Sequence, residues 1–345
     1  MQATPKAFCF RFLQTGRGRF SLGKALIATA LVIASGAHAT GAETYPSRAI
    51  TIVVPSAAGG PTDALTRVLA DYLRGFLKQS IVIENQGTAG GTVAVGRVAR
   101  AEPDGYTLSI GQWGNFVING AVYPLQYDLL NDFAPISLLA SNPQLIVGRT
   151  SLPATTLKDL IAWLRKNPGK AMQGTAGAGS PAHVGGLYFQ RLTGTQFQFV
   201  PYRGAAPAML DLLAGRIDLL FDQASNSLPQ VRGGKIKAFA VAAERKLPDA
   251  PDIPTVDEAG LPGFHVSVWH GMWAPKGTPE AIVAKLKSAV RAALSDPGVQ
   301  QRLAKLGQQI PPREQQTPAA LAALQRSESE KWWPIIKAAN IQPGH

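Results

Sequence analysis

Three segments place glycine and small hydroxyl or carboxylate residues just ahead of an apolar helical stripe or a small-residue helix. They are Ser56-Ala-Ala-Gly-Gly-Pro-Thr-Asp63, Gly87-Thr-Ala-Gly-Gly-Thr92 and Gly177-Ala-Gly-Ser-Pro-Ala-His183. A helix starting on such a segment offers unpaired backbone N–H groups and the positive end of its dipole, a combination that attracts anions. Glycine lets the backbone approach closely and adopt positive φ. The chemistry predicted for these residues is anion capture.

Candidate contacts follow from position. In the first loop they are Ser56, Ala57, Ala58, Gly59, Gly60, Thr62 and Asp63, and in the second Thr88 and Ala89. The third loop contributes Gly177, Ala178, Gly179, Ser180 and His183. Ser180 reads as an N-cap with Pro181 at the first helical position, and a purely structural cap is an equal alternative. Gly59-Gly60 also suits an ordinary tight turn. Asp63 is either an acid favoured in a first helical turn or an acceptor for a ligand hydroxyl or ammonium. His183 either donates to a carboxylate or packs. Trp113 and Asn115 follow a strand whose end could open into a cleft, with lobe packing the favoured reading for Trp113. Tyr202 and Arg203 follow another strand, where Arg203 pairs with a distal carboxylate or projects into solvent. Asp222, Gln223 and Asn226 offer polar contacts or hinge hydrogen bonds.

Other chemistries lack their residues. The five histidines (38, 183, 265, 270, 345) have no metal-ligand spacing, and no Gly-x-Ser-x-Gly elbow or Gly-x-x-x-x-Gly-Lys phosphate loop occurs. No catalytic residue, metal or cofactor is expected.

The elements that would hold these loops alternate. Strands over 49–55, 81–85 and 106–111 lead into glycine-rich loops or turns, and Leu65, Val68, Leu69, Tyr72, Leu73, Phe76 and Leu77 form one helical stripe. The pattern restarts with strands at 145–148, 171–175, 197–200, 217–222 and 238–243, and a helix over 157–166. A strand over 266–274 precedes two or three C-terminal helices, with Thr278-Pro279 and Thr317-Pro318 each read as a cap before a proline. Alternation predicts an α/β fold, each lobe a mainly parallel sheet flanked by helices. The expected first lobe is discontinuous, residues 43–142 plus 266–345, and the second spans 143–265.

Residues 1–39 read as a Sec-type signal peptide. Arg11, Arg17, Arg19 and Lys24 precede an apolar run over 25–34 and small residues at Ala37-His38-Ala39. Cleavage is expected after Ala39 or, second, after Ala42, which places the protein in the periplasm. The formal charge of +12 then falls to +7, because the leader carries five basic residues and no acidic one. The sole cysteine, Cys9, leaves with it, which excludes disulfides and cysteine chemistry. The remaining basic surface has no Lys/Arg run of the kind that binds nucleic acid, and it mildly favours small anions.

Short segments recur in a telling order. They include Tyr45-Pro-Ser-Arg48, Ile52-Val-Val-Pro55 with Gly59-Gly-Pro-Thr-Asp63, Glu84-Asn85 with Ala89-Gly-Gly91, and Pro103-Asp-Gly-Tyr-Thr-Leu108. Later come Tyr127-Asp128 with Asp132-Phe133, Asn167-Pro-Gly-Lys170, Gly179-Ser-Pro-Ala-His183 and Val200-Pro-Tyr-Arg-Gly204. Asp252-Ile-Pro-Thr255, Glu258-Ala-Gly-Leu-Pro-Gly263 and Ala274-Pro-Lys-Gly-Thr-Pro279 complete the set. Together these resemble a Bug-type receptor, the substrate-binding subunit of tripartite tricarboxylate transporters. The resemblance implies a type II periplasmic-binding-protein (Venus flytrap) fold whose lobes are joined by two crossing strands. It also implies a carboxylate held by backbone N–H groups, hydroxyls and ordered waters between the 56–63 and 177–183 loops. Asp63 matches the family's acid after the glycine pair. Ser56 stands where the family usually has an aromatic or bulky residue, and Trp113 where smaller ones are common, so no particular ligand is inherited.

The expectation is therefore a monomeric solute-binding receptor, with no enzymatic activity, that delivers a small organic carboxylate to membrane permease subunits. Two alternatives are a ligand sensor for a histidine kinase and a periplasmic hydrolase using Ser180.

Overall fold

The computed structural model describes residues 45–202 and 204–341; the predicted leader and Arg203 lie outside them. The chain opens with β1 (Ile50–Val54), α1 (Pro61–Leu77), β2 (Ile81–Asn85), α2 (Thr92–Ala99) and β3 (Thr107–Gln112). After β3 comes a π-helical turn, Gly114–Ile118, continued by α3 (Asn119–Val122). β4 (Phe133–Arg149) leads to α4 (Leu157–Lys166), β5 (Met172–Thr175), α5 (Pro181–Thr193), β6 (Gln198–Pro201), α6 (Ala205–Leu213), β7 (Leu219–Gln223), α7 (Ala224–Arg232) and β8 (Ile236–Val241). The chain returns through β9 (Ser267–Pro275) and ends in α8 (Glu280–Ser295), α9 (Pro297–Lys305) and α10 (Pro318–Ala338).

Two sheets share β4. One runs β2-β1-β3-β9-β4, and the other continues from β4 through β7 and β5 to β6, with β8 also on β4. The outer pairs β1–β2, β1–β3, β5–β6 and β5–β7 are parallel. The strands that cross between the sheets run antiparallel to their neighbours. This is a two-lobe α/β architecture. β1 shows why its strands form: four of its five residues are buried, the near-continuous apolar run of a strand covered on both faces. On α1 the stripe Leu65, Val68, Leu69, Leu73 and Leu77 is buried, whereas Phe76 stays 44% exposed and stacks on Tyr72.

β4 is far longer than the 145–148 strand legible in the sequence. Pro135 and Pro143 lie within it, and its pairing with β9 shifts register between Pro135 and Ser137 and between Leu138 and Ala140. Such bulges let a strand carry proline and hide its period. The Thr317 cap forms, its hydroxyl accepting the Ala320 N–H. The Thr278 cap does not. Pro279 occupies the cap position of α8, and the Thr278 hydroxyl donates to the Pro275 carbonyl at 2.8 Å, a local turn that outcompetes capping.

Candidate functional site

The first anion-type loop leaves β1 at Pro55. The N–H groups of Ser56, Ala57 and Ala58 have no partner among the described residues. The turn is closed from within: Gly60 N–H donates to the Ala57 carbonyl, and Gly59, at φ +77°, donates to Asp63 Oδ2 at 2.8 Å. Gly60 caps α1 without a side chain, and Thr62 reaches His270 Nε2 on β9 at 3.3 Å. Asp63 is 2% exposed and also receives Arg67 Nε at 2.9 Å. Burial pushes its carboxyl up, but donation from Arg67, Gly59 and Asn85 outweighs this and holds it below the usual range. Asp63 therefore organises its own loop.

The second loop lies against the first. A Cβ on Gly87 would stand 2.9 Å from the Ala57 nitrogen. Ala89, Gly90 and Gly91 are left-handed in succession (φ +50°, +65°, +83°), and Thr88 and Ala89 are exposed.

The third loop belongs to the other sheet. Ser180 is the N-cap of α5 with Pro181 at the first position, and its hydroxyl accepts the His183 N–H. The N–H groups of Ala178 and Ala182 have no partner among the described residues. Gly179 N–H donates to His183 Nδ1 at 3.1 Å, so the neutral ring carries its proton on Nε2. Burial depresses this histidine to about 4, so it stays uncharged near neutrality. Among the described residues no base side chain is hydrogen-bonded to the Ser180 hydroxyl, and the hydrolase alternative finds no support.

The third loop meets the first sheet through the segment after β3. A Cβ on Gly114 would touch the Pro181 ring at 3.4 Å, and one on Gly179 would press Val122 at 3.0 Å. Sequence reasoning missed this landing surface. Its one signal is the Asn115/Asn119 spacing of four, which places both amides on one helical face.

The remaining predicted residues divide. Trp113 is 1% exposed and packs edge-on against Trp332 of α10. Asn115 is 5% exposed and turned inward onto backbone carbonyls. Tyr202 donates its hydroxyl to Asp211 at 2.8 Å, which ties it within its own lobe. Arg203 is outside the described residues. Asp222 accepts from Asn226 Nδ2 and Ser227 Oγ, both at 2.7 Å. Burial raises its pKa to about 6, against those hydrogen bonds.

The Asp222 shift has a definite sign. A carboxyl raised in the folded state favours folding fully below about 3.8, and that stability is lost as pH rises through 6. Asp222→Asn should flatten the profile. Denaturant unfolding at pH 4 and pH 7 should show wild type losing about 2–3 kcal/mol more than the variant over that interval. Parallel profiles would exclude this titration.

A cavity of about 1140 Å³ lies elsewhere, between the crossing strands, the 242–249 segment, the 304–316 segment and α10. Of the predicted contacts only Trp113 lines it. Volume alone does not identify chemistry, and the unpaired N–H groups are at the glycine-rich loops. Among the described residues no cluster of side chains suits a metal, and no helix is long and apolar enough to cross a membrane.

Residues 65–341 match the family model described as the tripartite tricarboxylate transporter family receptor. The chain belongs to this receptor family. The receptor is 40% identical over 316 residues to the UPF0065 protein in the TAR-I ttuE-ttuC' intergenic region of Agrobacterium vitis, covering 91% of this chain and 90% of that protein. Among solved structures, MatC from Rhodopseudomonas palustris with bound malate is 41% identical, with a TM-score of 0.79 over 85% of this chain and all of MatC. The periplasmic binding protein BugD is 40% identical, with a TM-score of 0.79 over 86% of the receptor and 99% of BugD. The family is one of periplasmic substrate-binding receptors, and its two-lobe fold is the one described above.

Proposed function

We propose that the receptor is an exported, non-enzymatic protein that captures a small organic carboxylate between its lobes and presents the closed form to membrane permease subunits. The observation that carries this reading is the set of unpaired N–H groups at Ser56–Ala58 on one sheet and Ala178 and Ala182 on the other. These are fixed donors of the kind a carboxylate accepts, and they need no cationic side chain. The malate bound in MatC supports the ligand class. The first lobe is residues 43–142 plus 266–345 and the second 143–265; β4 and β9 are the hinge, about which the lobes close. Contacts come from Ser56–Gly60, Thr62, Thr88, Ala89, Gly177–Ser180 and His183 Nε2, with Asp63 and Asp222 as supports. The receptor works as a monomer, and its leader is removed after Ala39 or Ala42.

A thermal-shift panel of malate, succinate, glutarate and citrate tests the reading. One acid at 100 times its dissociation constant should stabilise the protein by roughly 2.7 kcal/mol. Absence of a shift with every acid would refute it. Mass spectrometry of the exported protein should find its first residue at position 40 or 43, and an intact leader would refute the export step.

A further inference from the structure

Asn115 is 5% exposed, and its side chain reaches both glycine-rich loops of the first sheet. Its Nδ2 donates to the Pro55 carbonyl at 3.1 Å and to the Gly90 carbonyl at 2.8 Å. Its Oδ1 accepts the Gln112 N–H at 3.3 Å. One amide therefore binds the ends of β1 and β3 to the 88–91 turn. Asn119 shares only the Gly90 carbonyl, at 2.9 Å. Asn85 Nδ2 donates to the Ser56 carbonyl at 3.4 Å.

A trans peptide points its C=O and the following N–H in opposite directions. Holding the Pro55 carbonyl on Asn115 turns the Ser56 N–H away from it, and holding the Ser56 carbonyl on Asn85 does the same for Ala57. Both are among the N–H groups without a partner among the described residues. On its other side, the turn carrying Asn115 begins at Gly114, against which the Pro181 ring of the opposite loop rests. π-Turns inside helices are frequent at functional sites, where they re-aim side chains.

We propose that Asn115 is the positioning residue of the anion site: it sets the Ser56 N–H for the ligand and fixes the surface on which the second-lobe loop closes. This rests on the carboxylate-binding reading.

The test compares Asn115→Ala, Asn115→Asp and Asn119→Ala by calorimetric titration with the acid giving the largest shift in the panel above, malate being the first choice. The ligand-induced shift of the Ser56 amide proton is followed by NMR. Asn115→Ala should raise Kd by ten-fold or more and abolish the Ser56 shift in the folded variant. Asn115→Asp cannot donate to the carbonyls and should weaken binding further. Asn119→Ala should change Kd by less than three-fold and keep the shift, because Asn115 still holds Gly90. Unaltered Kd and Ser56 shift in Asn115→Ala would overturn the positioning role alone. So would a lowered melting temperature with an unchanged Ser56 shift, the signature of a merely structural residue. A wild type that binds no acid would instead remove the functional reading, and the positioning role with it.

Discussion

Gly91→Ala should sharply weaken ligand binding and lower the melting temperature, because the added methyl has nowhere to go. At φ +83° a Cβ would stand 2.3 Å from the Pro55 carbonyl oxygen, 2.7 Å from its Cβ and 2.9 Å from Asn115 Nδ2. Two of these are parts of the clamp on the first anion loop, and backbone cannot yield as a flexible side chain does. Left-handed backbone for a non-glycine residue costs about 1–3 kcal/mol. Overpacking adds about 1–3 kcal/mol more. The Pro55 peptide must rotate, carrying the Ser56 N–H with it, so affinity should fall by about two orders of magnitude or more. Gly194→Asn serves as the control. It caps α5 at φ +61° with no atom within 4 Å, and asparagine tolerates that conformation. Equal Kd values for Gly91→Ala and Gly194→Asn would disprove the prediction.

Gly179→Val should act on closure. Gly179 is buried at φ +71°, and a Cβ would lie 3.0 and 3.2 Å from the two methyls of Val122 on the opposite lobe. A β-branched residue is strained there, and its methyls would prop the loop off α3. A penalty of about 2–3 kcal/mol on the closed form corresponds to a Kd increase of about 30- to 150-fold. On the proposed order, capture on one lobe and then closure, the loss should appear mainly as faster dissociation. Solution scattering should show wild type contracting with ligand and the variant remaining extended. Contraction of both to the same radius would contradict the closure role of this contact.

Much of this was open to reading from local pattern. The three glycine-rich loops, the Ser180 cap with Pro181 behind it, and the α1 stripe depend on residues within a few positions of one another. Their geometry follows from capping, dihedral freedom and helical period. The restart of the α/β pattern likewise foretold two sheets.

What stayed hidden depended on distant partners. The 17-residue β4 carries Pro135 at a register shift in its pairing with β9 and Pro143 within the regular ladder. Thr278 had the right spacing for a cap, yet a carbonyl three residues back took its hydroxyl. Phe76 fits the stripe by period and lies at its edge in space.

The anion loops themselves divide along the same line. By itself the sequence determined that they exist, which helices they start, and that glycine and a serine cap shape them. Only the tertiary structure decided which N–H groups are left unpaired. At Ser56 and Ala57 the carbonyls of the same peptides are held by Asn115 and Asn85, 60 and 29 residues away. It also decided that the second-lobe loop lands on Gly114 and Val122, since no local rule sets which surfaces meet once two sheets share a strand.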